Sequence, residues 1–388
     1  MQLRFAWVLL GAFTACRAER SLPDRHQAAT TKAPSATSAL VSPSSGLPSN
    51  VPAASTVAPR SDSELLHCKA RGKHARALVG SVRGRVIDLR ASNESLYVLH
   101  FEDDLRRATL TKLGRDGVRR GVVARHVGPS EPKSMVMTPD AAYFTRKTNV
   151  VRVGLDSGEV KEVVHGFAEA IAVFGDHVYG VVCNPSDSAE FADSLVRVSL
   201  VNGEREPIAD LPRVPRKKRA SGGPACDYHY LAAAAESVFI SDWAGRRILS
   251  ISMADKTVHE TAFAGSYPMR ITLEPETIVY QAEGGLYRVP RAGGKPEQLA
   301  ELANTPFASY VADEKEFWIN QSEAYTEAVW IYRLTRVAGK PRKVLKFEGY
   351  KDCADPCDIT DGIAVDDECI YVAHREEHTV NLFAWPKD

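Results

Sequence analysis

The sequence predicts an all-β chain folded as a seven-bladed β-propeller, and three observations carry that prediction. An aromatic or apolar-centred strand recurs seven times, as Leu96-Tyr97-Val98, Ala142-Tyr143-Phe144, Val178-Tyr179-Gly180, Val238-Phe239-Ile240, Ile278-Val279-Tyr280, Phe317-Trp318-Ile319 and Ile370-Tyr371-Val372. Their centres run from residue 97 to residue 371, a mean period of about 46, which suits a four-strand blade and lacks the helix-length periodicity of a solenoid. Turn residues suited to tight hairpins separate the strands, among them Arg115-Asp116-Gly117, Ser157-Gly158, Asn202-Gly203 and Gly293-Gly294. Finally, each end of the repeat region holds a loose piece. Val380–Trp385 leaves the last blade one outer strand short, and Ala75–Val82 is a spare strand ahead of a first blade that opens at Val86. Placing the spare strand outermost in the last blade completes seven blades and fastens the ring. Six blades with one degenerate repeat is the alternative.

The ring is preceded by two segments of different character. MQLRFAWVLLGAFTAC carries one basic residue, Arg4, then an apolar run from Phe5 to Ala15 and small residues before Cys16, the pattern of a secretory signal. Residues 17–62 are more than half Ser, Thr, Pro and Ala and hold no aromatic, so they cannot bury enough apolar surface to offset the entropy of ordering. A coil of that length spans on the order of 40 Å. The expected organisation is therefore a signal peptide at 1–15, Cys16 with a disordered tether at 16–63, and the propeller at 64–388.

Whole-chain numbers exclude several function classes. The 388 residues balance 49 Lys+Arg against 49 Asp+Glu, so no global field exists to hold a polyanion and a nucleic-acid partner is not expected. No apolar run reaches the roughly 18 residues of a spanning helix. No GxSxG elbow, P-loop, haem CxxCH or dinucleotide fingerprint occurs, so no cofactor, resident metal or catalytic residue is predicted. His374-Arg-Glu-Glu-His378 has the HxxEH spacing of a zinc hydrolase, but that chemistry needs a helix and the motif falls between two predicted strands.

Two stretches, Glu236-Ser-Val-Phe-Ile-Ser-Asp-Trp-Ala-Gly-Arg-Arg-Ile-Leu249 and Asp361-Gly-Ile-Ala-Val-Asp-Asp-Glu-Cys-Ile-Tyr-Val-Ala-His374, resemble the NHL and YVTN-type propellers of secreted bacterial proteins. Leu286-Tyr-Arg-Val-Pro-Arg-Ala-Gly-Gly294 is similar to a common blade ending of that group. The resemblance implies the fold over residues 75–388 and leaves function open, because this architecture hosts lyases, lactonases, scaffolds and sensors. Phe13-Thr14-Ala15-Cys16 resembles a bacterial lipobox, although Phe13 stands where Leu is usual. It implies that Cys16 is lipidated; ordinary cleavage near Ala15 is the alternative. Arg17, where an Asp would hint at inner-membrane retention, favours the outer membrane by the same resemblance.

Setting Cys16 aside leaves six cysteines, an even number that reads as three disulfides in an exported domain. In a propeller the loops after the second and fourth strands of each blade share one face, here called the top. Cys183, Cys226, Cys353 and Cys357 map to the top, Cys68 and Cys369 to the bottom. The expected pairs are Cys183–Cys226, Cys353–Cys357 and Cys68–Cys369, the last locking the closure.

Bottom turns are uniformly short, whereas the top carries long loops at Cys183–Asp193, Leu211–Tyr228, Gln321–Thr326 and Gly349–Asp358. Long loops on a rigid scaffold carry recognition, so the top is the candidate face. Arg213, Arg216, Lys217, Lys218 and Arg219 form a basic run suited to an anionic polymer or an envelope protein. Asp227, His229, Asp358 and Asp361 fall where chains enter the central channel, the candidate ligand-binding set. Asp361-Gly362 is similar to one metal position of gluconolactonase-type propellers, but no partner motif accompanies it, and hard cations need several converging oxygens. The expected function is a lipid-anchored binding module of the cell envelope; a propeller lactonase or lyase acting on a small substrate is the alternative.

Overall fold

The computed structural model describes residues 77–387, apart from interruptions at 93–94, 102–107, 115–118, 126, 128–134, 147, 168–169, 184–192, 213–227, 265–266, 303–308, 323–327, 349–359 and 377–378. The segments 1–15 and 16–63, with Cys16, lie outside the described residues. Among the described residues no helix is long and apolar enough to cross a membrane.

The first strand, β1 (Ala77–Arg83), belongs to the last blade. Blade one follows as β2 (Arg85–Ser92), β3 (Ser95–Phe101), β4 (Ala108–Gly114) and β5 (Arg119–Ala124). Blade two is β6 (Met135–Met137), β7 (Ala141–Arg146), β8 (Asn149–Gly154) and β9 (Val160–Val164). Blade three is β10 (Ile171–Phe174), β11 (His177–Val182), β12 (Asp193–Ser199) and β13 (Arg205–Leu211). Blade four is β14 (Tyr228–Ala233), β15 (Ser237–Asp242), β16 (Arg247–Ser252) and β17 (Val258–Phe263). Blade five is β18 (Met269–Leu273), β19 (Thr277–Ala282), β20 (Gly285–Pro290) and β21 (Glu297–Glu301). Blade six is β22 (Ser309–Ala312), β23 (Glu316–Ser322), β24 (Ala328–Thr335) and β25 (Arg342–Glu348). Blade seven is β26 (Thr360–Val365), β27 (Cys369–Glu376) and β28 (Thr379–Pro386), completed by β1.

Seven four-stranded antiparallel sheets thus form a seven-bladed propeller, and the six-blade alternative is excluded. Strand β1 pairs with β28 from Ala77↔Ala384 to Arg83↔Thr379, so the N-terminal strand closes the ring as the outermost strand of blade seven. All seven predicted strand centres lie on the second strand of a blade.

The period-2 pattern of these second strands builds the core, because successive side chains face opposite neighbours. In β7, Ala142 and Phe144 join the cluster shared with blade one, whereas Ala141 and Tyr143 join the cluster shared with blade three. The same division repeats at every blade boundary, giving one apolar cluster per interface. Trp318, Phe239, Tyr280 and Tyr371 are almost wholly buried in these clusters, and each such side chain contributes on the order of 2–3 kcal/mol of apolar transfer. Packing is tight enough that Gly180 permits no larger residue: a Cβ there would run into the ring of Phe167, the residue that caps the cluster from the loop after β9. The closing cluster between blades seven and one contains Val79 and Val82 of β1 beside Val86, Leu89, Tyr371 and Leu382.

Polar ties on the bottom join blades five, six and seven. Lys387, just past β28, donates from Nζ to Asp313 Oδ2 (2.8 Å) and to the Asp366 carbonyl (2.6 Å), linking the C-terminal end to blade six. Arg336 bonds the Glu274 carboxylate of blade five and the Asp313 carbonyl of blade six.

Candidate functional site

The innermost strands are β2, β6, β10, β14, β18, β22 and β26, and they surround the central channel. Residues from His229 to Ala233 of β14 and all of β18 are half-buried, unlike the sealed second strands. Four of these inner strands lose register with the second strand near their top ends: β2 between Val86 and Asp88, β14 between Tyr228 and Leu231, β18 between Met269 and Ile271, and β26 between Thr360 and Gly362. Each shift is a β-bulge, which inserts a residue and re-aims it. The bulged residues are Ile87, His229-Tyr230, Arg270 and Asp361. Two of the four residues predicted at the channel mouth, His229 and Asp361, therefore stand at equivalent bulges on its rim. Asp227 and Asp358 lie outside the described residues, as does the Asp361 side chain.

Blade four adds a feature that sequence reasoning missed. The His229 ring meets Trp243 edge-on at 5.3 Å between centroids, and Trp243 packs on Tyr267 at 4.2 Å with the rings tilted by 34°. The exposed Arg246 guanidinium lies 5.2 Å over the Tyr267 ring. These residues come from three elements: the inner strand β14, the top loop from β15 to β16, and the top loop from β17 to β18. Tyr267 is 38% exposed, unusual for a large apolar ring in this structure.

Buried polar groups hold the loops in place. Asp242, 2% exposed, accepts from Gly245 N (2.8 Å) and from Arg247 Nε (2.8 Å), cinching the turn that carries Trp243. A side chain at Gly245 would collide with that carboxylate and with Arg247. Burial alone would lower the pKa of Arg247; its bonds to Asp242 and Glu260 outweigh that, and the net shift is upward. Its Nη2 also donates to the Pro212 carbonyl (3.2 Å), tying blade four to the end of blade three. On the other side, Ser241 Oγ donates to the Pro268 carbonyl, and Ala264 N donates to the Arg246 carbonyl (2.8 Å), so the two aromatic-bearing loops are fastened together.

The remaining sequence expectations fall as follows. Cys183 follows β11 on the top and Cys369 opens β27 at the bottom, as mapped. Cys68, Cys226, Cys353 and Cys357 lie outside the described residues, and so does the basic run of Arg213, Arg216, Lys217, Lys218 and Arg219. His374 sits on strand β27, not on a helix, with its ring against Phe347 (5.2 Å). Among the described residues no three His, Cys, Asp or Glu side chains group as a metal site. Between blades three and four a cleft of about 430 Å³ is lined by Asp210, Pro212, Arg247 and His259, among others.

No protein-family model and no curated protein matches the chain. Solved structures similar in fold include U3-55K, with a TM-score of 0.55 at 9% identity over 81% of this chain and 100% of that one. A manganese complex of oligogalacturonate lyase has a TM-score of 0.50 at 13% identity, covering 79% of this chain and 98% of that chain. The extracellular domain of a one component system from B. thetaiotaomicron has a TM-score of 0.49 at 9% identity, covering 77% of this chain and 38% of that chain. At these identities the likeness is one of fold alone.

Proposed function

We propose that the chain is an exported, lipid-anchored module of a bacterial cell envelope, in the outer membrane, whose propeller binds its ligand on the long-loop face. The observation that carries this reading is the fastened rim around Trp243. The backbone of the loops that carry these rings is held in place before any ligand arrives, which removes part of the ordering cost of binding. In this reading Cys16 takes the lipid, residues 16–63 are the tether, and Arg213, Arg216, Lys217, Lys218 and Arg219 meet an anionic polymer or envelope protein. The pairs Cys183–Cys226, Cys353–Cys357 and Cys68–Cys369 belong to the same proposal. Neither Cys183 nor Cys369 is a free thiol, which supports an oxidising compartment.

A second reading is a propeller enzyme of lactonase or lyase type with a small substrate at the channel mouth. The bulges that bring His229, Arg270 and the backbone of Asp361 to one rim favour it, as does the fold likeness to oligogalacturonate lyase. One experiment separates the two. The full chain is incubated with a panel of acidic and neutral envelope polysaccharides, co-sedimentation is measured, and the recovered polymer is weighed by mass spectrometry. Retention of an unaltered polymer, reduced by Trp243→Ala, supports the binding module. A polymer recovered at changed mass supports the enzyme, and retention indifferent to Trp243→Ala and to neutralising the five basic residues overturns the binding-face assignment.

A further inference from the structure

The bottom of blade six carries a basic hairpin, β24 to β25, that the long-loop face does not use. Between Trp330 and Phe347 the sequence holds six cations and no acid. Two are engaged inside the ring, Arg333 with Glu316 and Arg336 with Glu274. The other four, Lys340, Arg342, Lys343 and Lys346, are exposed on the turn and on β25. Among the described residues Lys340 and Arg342 form no ion pair. Lys343 lies 4.2 Å over the Trp330 ring, a contact that steadies the ammonium and keeps its charge. Aliphatic side chains stand among these cations: Val337, 74% exposed at the turn, and the exposed Val344.

The same corner is where the chain enters the ring. Leu345 of β25 packs in one cluster with Phe383 and Trp385 of β28, and Phe383 pairs with Leu78 near the start of β1. Both β1 and β27 begin at the bottom, so the preceding residues join the ring there, next to the exposed Leu78. The sequence leading in is also basic. Lys69, Arg71, Lys73 and Arg76, which lie outside the described residues, occur with no acid between residues 65 and 76.

Across the ring the sign reverses. Blade three stands opposite the boundary of blades six and seven. Every bottom turn of blades two to four carries an exposed acid: Asp140, Asp156, Asp176, Glu204, Glu236 and Asp255. The other bottom turns of blades five to seven are mixed, with Glu276, Glu297, Glu314 and Asp367 exposed beside Lys295 and Lys315.

We infer that the β24–β25 corner docks on the anionic headgroups of the membrane that holds the chain, with Val337, Val344 and Leu78 facing the acyl boundary. Basic side chains beside a lipid attachment supply the second attraction that stable anchoring takes. A soluble polyanion would engage the cations and leave the aliphatic side chains in water, so their mixture on one corner favours a lipid surface. The acidic turns opposite are repelled, and the ring meets the membrane by one edge with its long-loop face clear. The inference rests on the envelope-anchored reading and adds the surface by which the ring touches the membrane.

The test uses the mature chain from residue 16 with Cys16→Ser, so that no acyl chain contributes. It is sedimented with vesicles of phosphatidylcholine and with an equal mixture of phosphatidylcholine and phosphatidylglycerol. The mixture binds more than about a hundred-fold tighter, and added salt removes most of the difference. Lys340→Gln with Arg342→Gln lowers that affinity about 25-fold, at about five-fold per cation. Val337→Ser weakens it a few fold, short of the roughly ten-fold of two fully buried methyl groups, and leaves binding to heparin unchanged. Lys161→Gln, exposed on blade two, changes neither. All four positions are exposed, so the variants keep the wild-type melting temperature. Equal binding to the two vesicles, or indifference to Lys340 and Arg342, overturns the inference. Heparin binding as tight as vesicle binding, with both indifferent to Val337→Ser, assigns the corner to a soluble polyanion and overturns the lipid surface. Mass spectrometry of the Cys16 peptide from the native chain separates the parent reading. An acylated Cys16 without vesicle preference overturns the inference and leaves the anchor standing; vesicle preference with unacylated Cys16 overturns the anchor and supports the lipid-facing corner.

Discussion

Ring closure by the N-terminal strand can be tested with two neighbouring side chains that point to opposite sides of β1. Val79 is 1% exposed inside the cluster between blades seven and one, whereas Leu78 is 57% exposed. Val79→Ala removes two methyl groups from a packed site. At about 0.8 kcal/mol per buried methylene, plus a cavity that the surrounding strands only partly fill, the cost is about 2 kcal/mol. Leu78→Ala removes more hydrocarbon yet stays within about 0.5 kcal/mol, because little of it leaves water on folding. The assay is urea unfolding followed by tryptophan fluorescence, with the midpoint shifted for Val79→Ala, unshifted for Leu78→Ala, and the slope common to both. Equal costs at the two positions, or none at either, would refute the docking of β1 outside β28. A chain beginning after Arg83 gives an independent readout: the bared edge of β28 recruits other chains, and size-exclusion chromatography shows higher-order species.

Other consequences follow from the same packing. Lys387→Met leaves Asp313 buried without its cation and costs about 2 kcal/mol, between the ranges for exposed and fully buried pairs, measured by urea midpoint. Burial pushes the Asp313 pKa up, but the bonds from Lys387, Lys315 N, Trp318 and Glu316 N outweigh it and the net shift is downward. Its contribution is therefore complete above the ordinary carboxylate range and is lost as pH falls through the depressed folded value, so wild type and Lys387→Met converge in stability toward acid pH. Gly180→Ala forces a methyl against the Phe167 ring and costs about 1–3 kcal/mol, seen as a lower melting temperature. Non-reducing peptide mapping finds Cys68 joined to Cys369; Cys68 free or paired elsewhere would remove the covalent lock from the closure.

The fold was legible because a propeller repeats its physics. Each second strand must be apolar on both sides, since Ala142 and Phe144 serve one interface and Tyr143 the other, and that demand leaves a seven-fold signature in the chain. Closure was legible for a related reason: a blade missing one strand and a strand missing a blade can satisfy each other. The rim was only half legible. In the sequence His229 and Asp361 fall where chains enter the central channel, and both stand at bulges of innermost strands. Trp243, Arg246, Tyr267 and Arg270 were not found. Trp243 lies inside the very stretch whose likeness to other propellers marks it as scaffold, so in the sequence it reads as part of the repeat. Bulges and left-handed arginines carry no one-letter code, because any residue can occupy them when its neighbours supply the compensating bonds. One signal was present: a tryptophan in a four-residue turn, where Gly, Asn or Asp would serve the backbone better. A large ring kept at such a place, against the 38% exposed Tyr267, is steadied by the buried Asp242 and Ser241 bonds beneath it. Polar groups buried to steady an exposed aromatic are an arrangement that stability alone does not require, and that asymmetry is what directs attention to the rim.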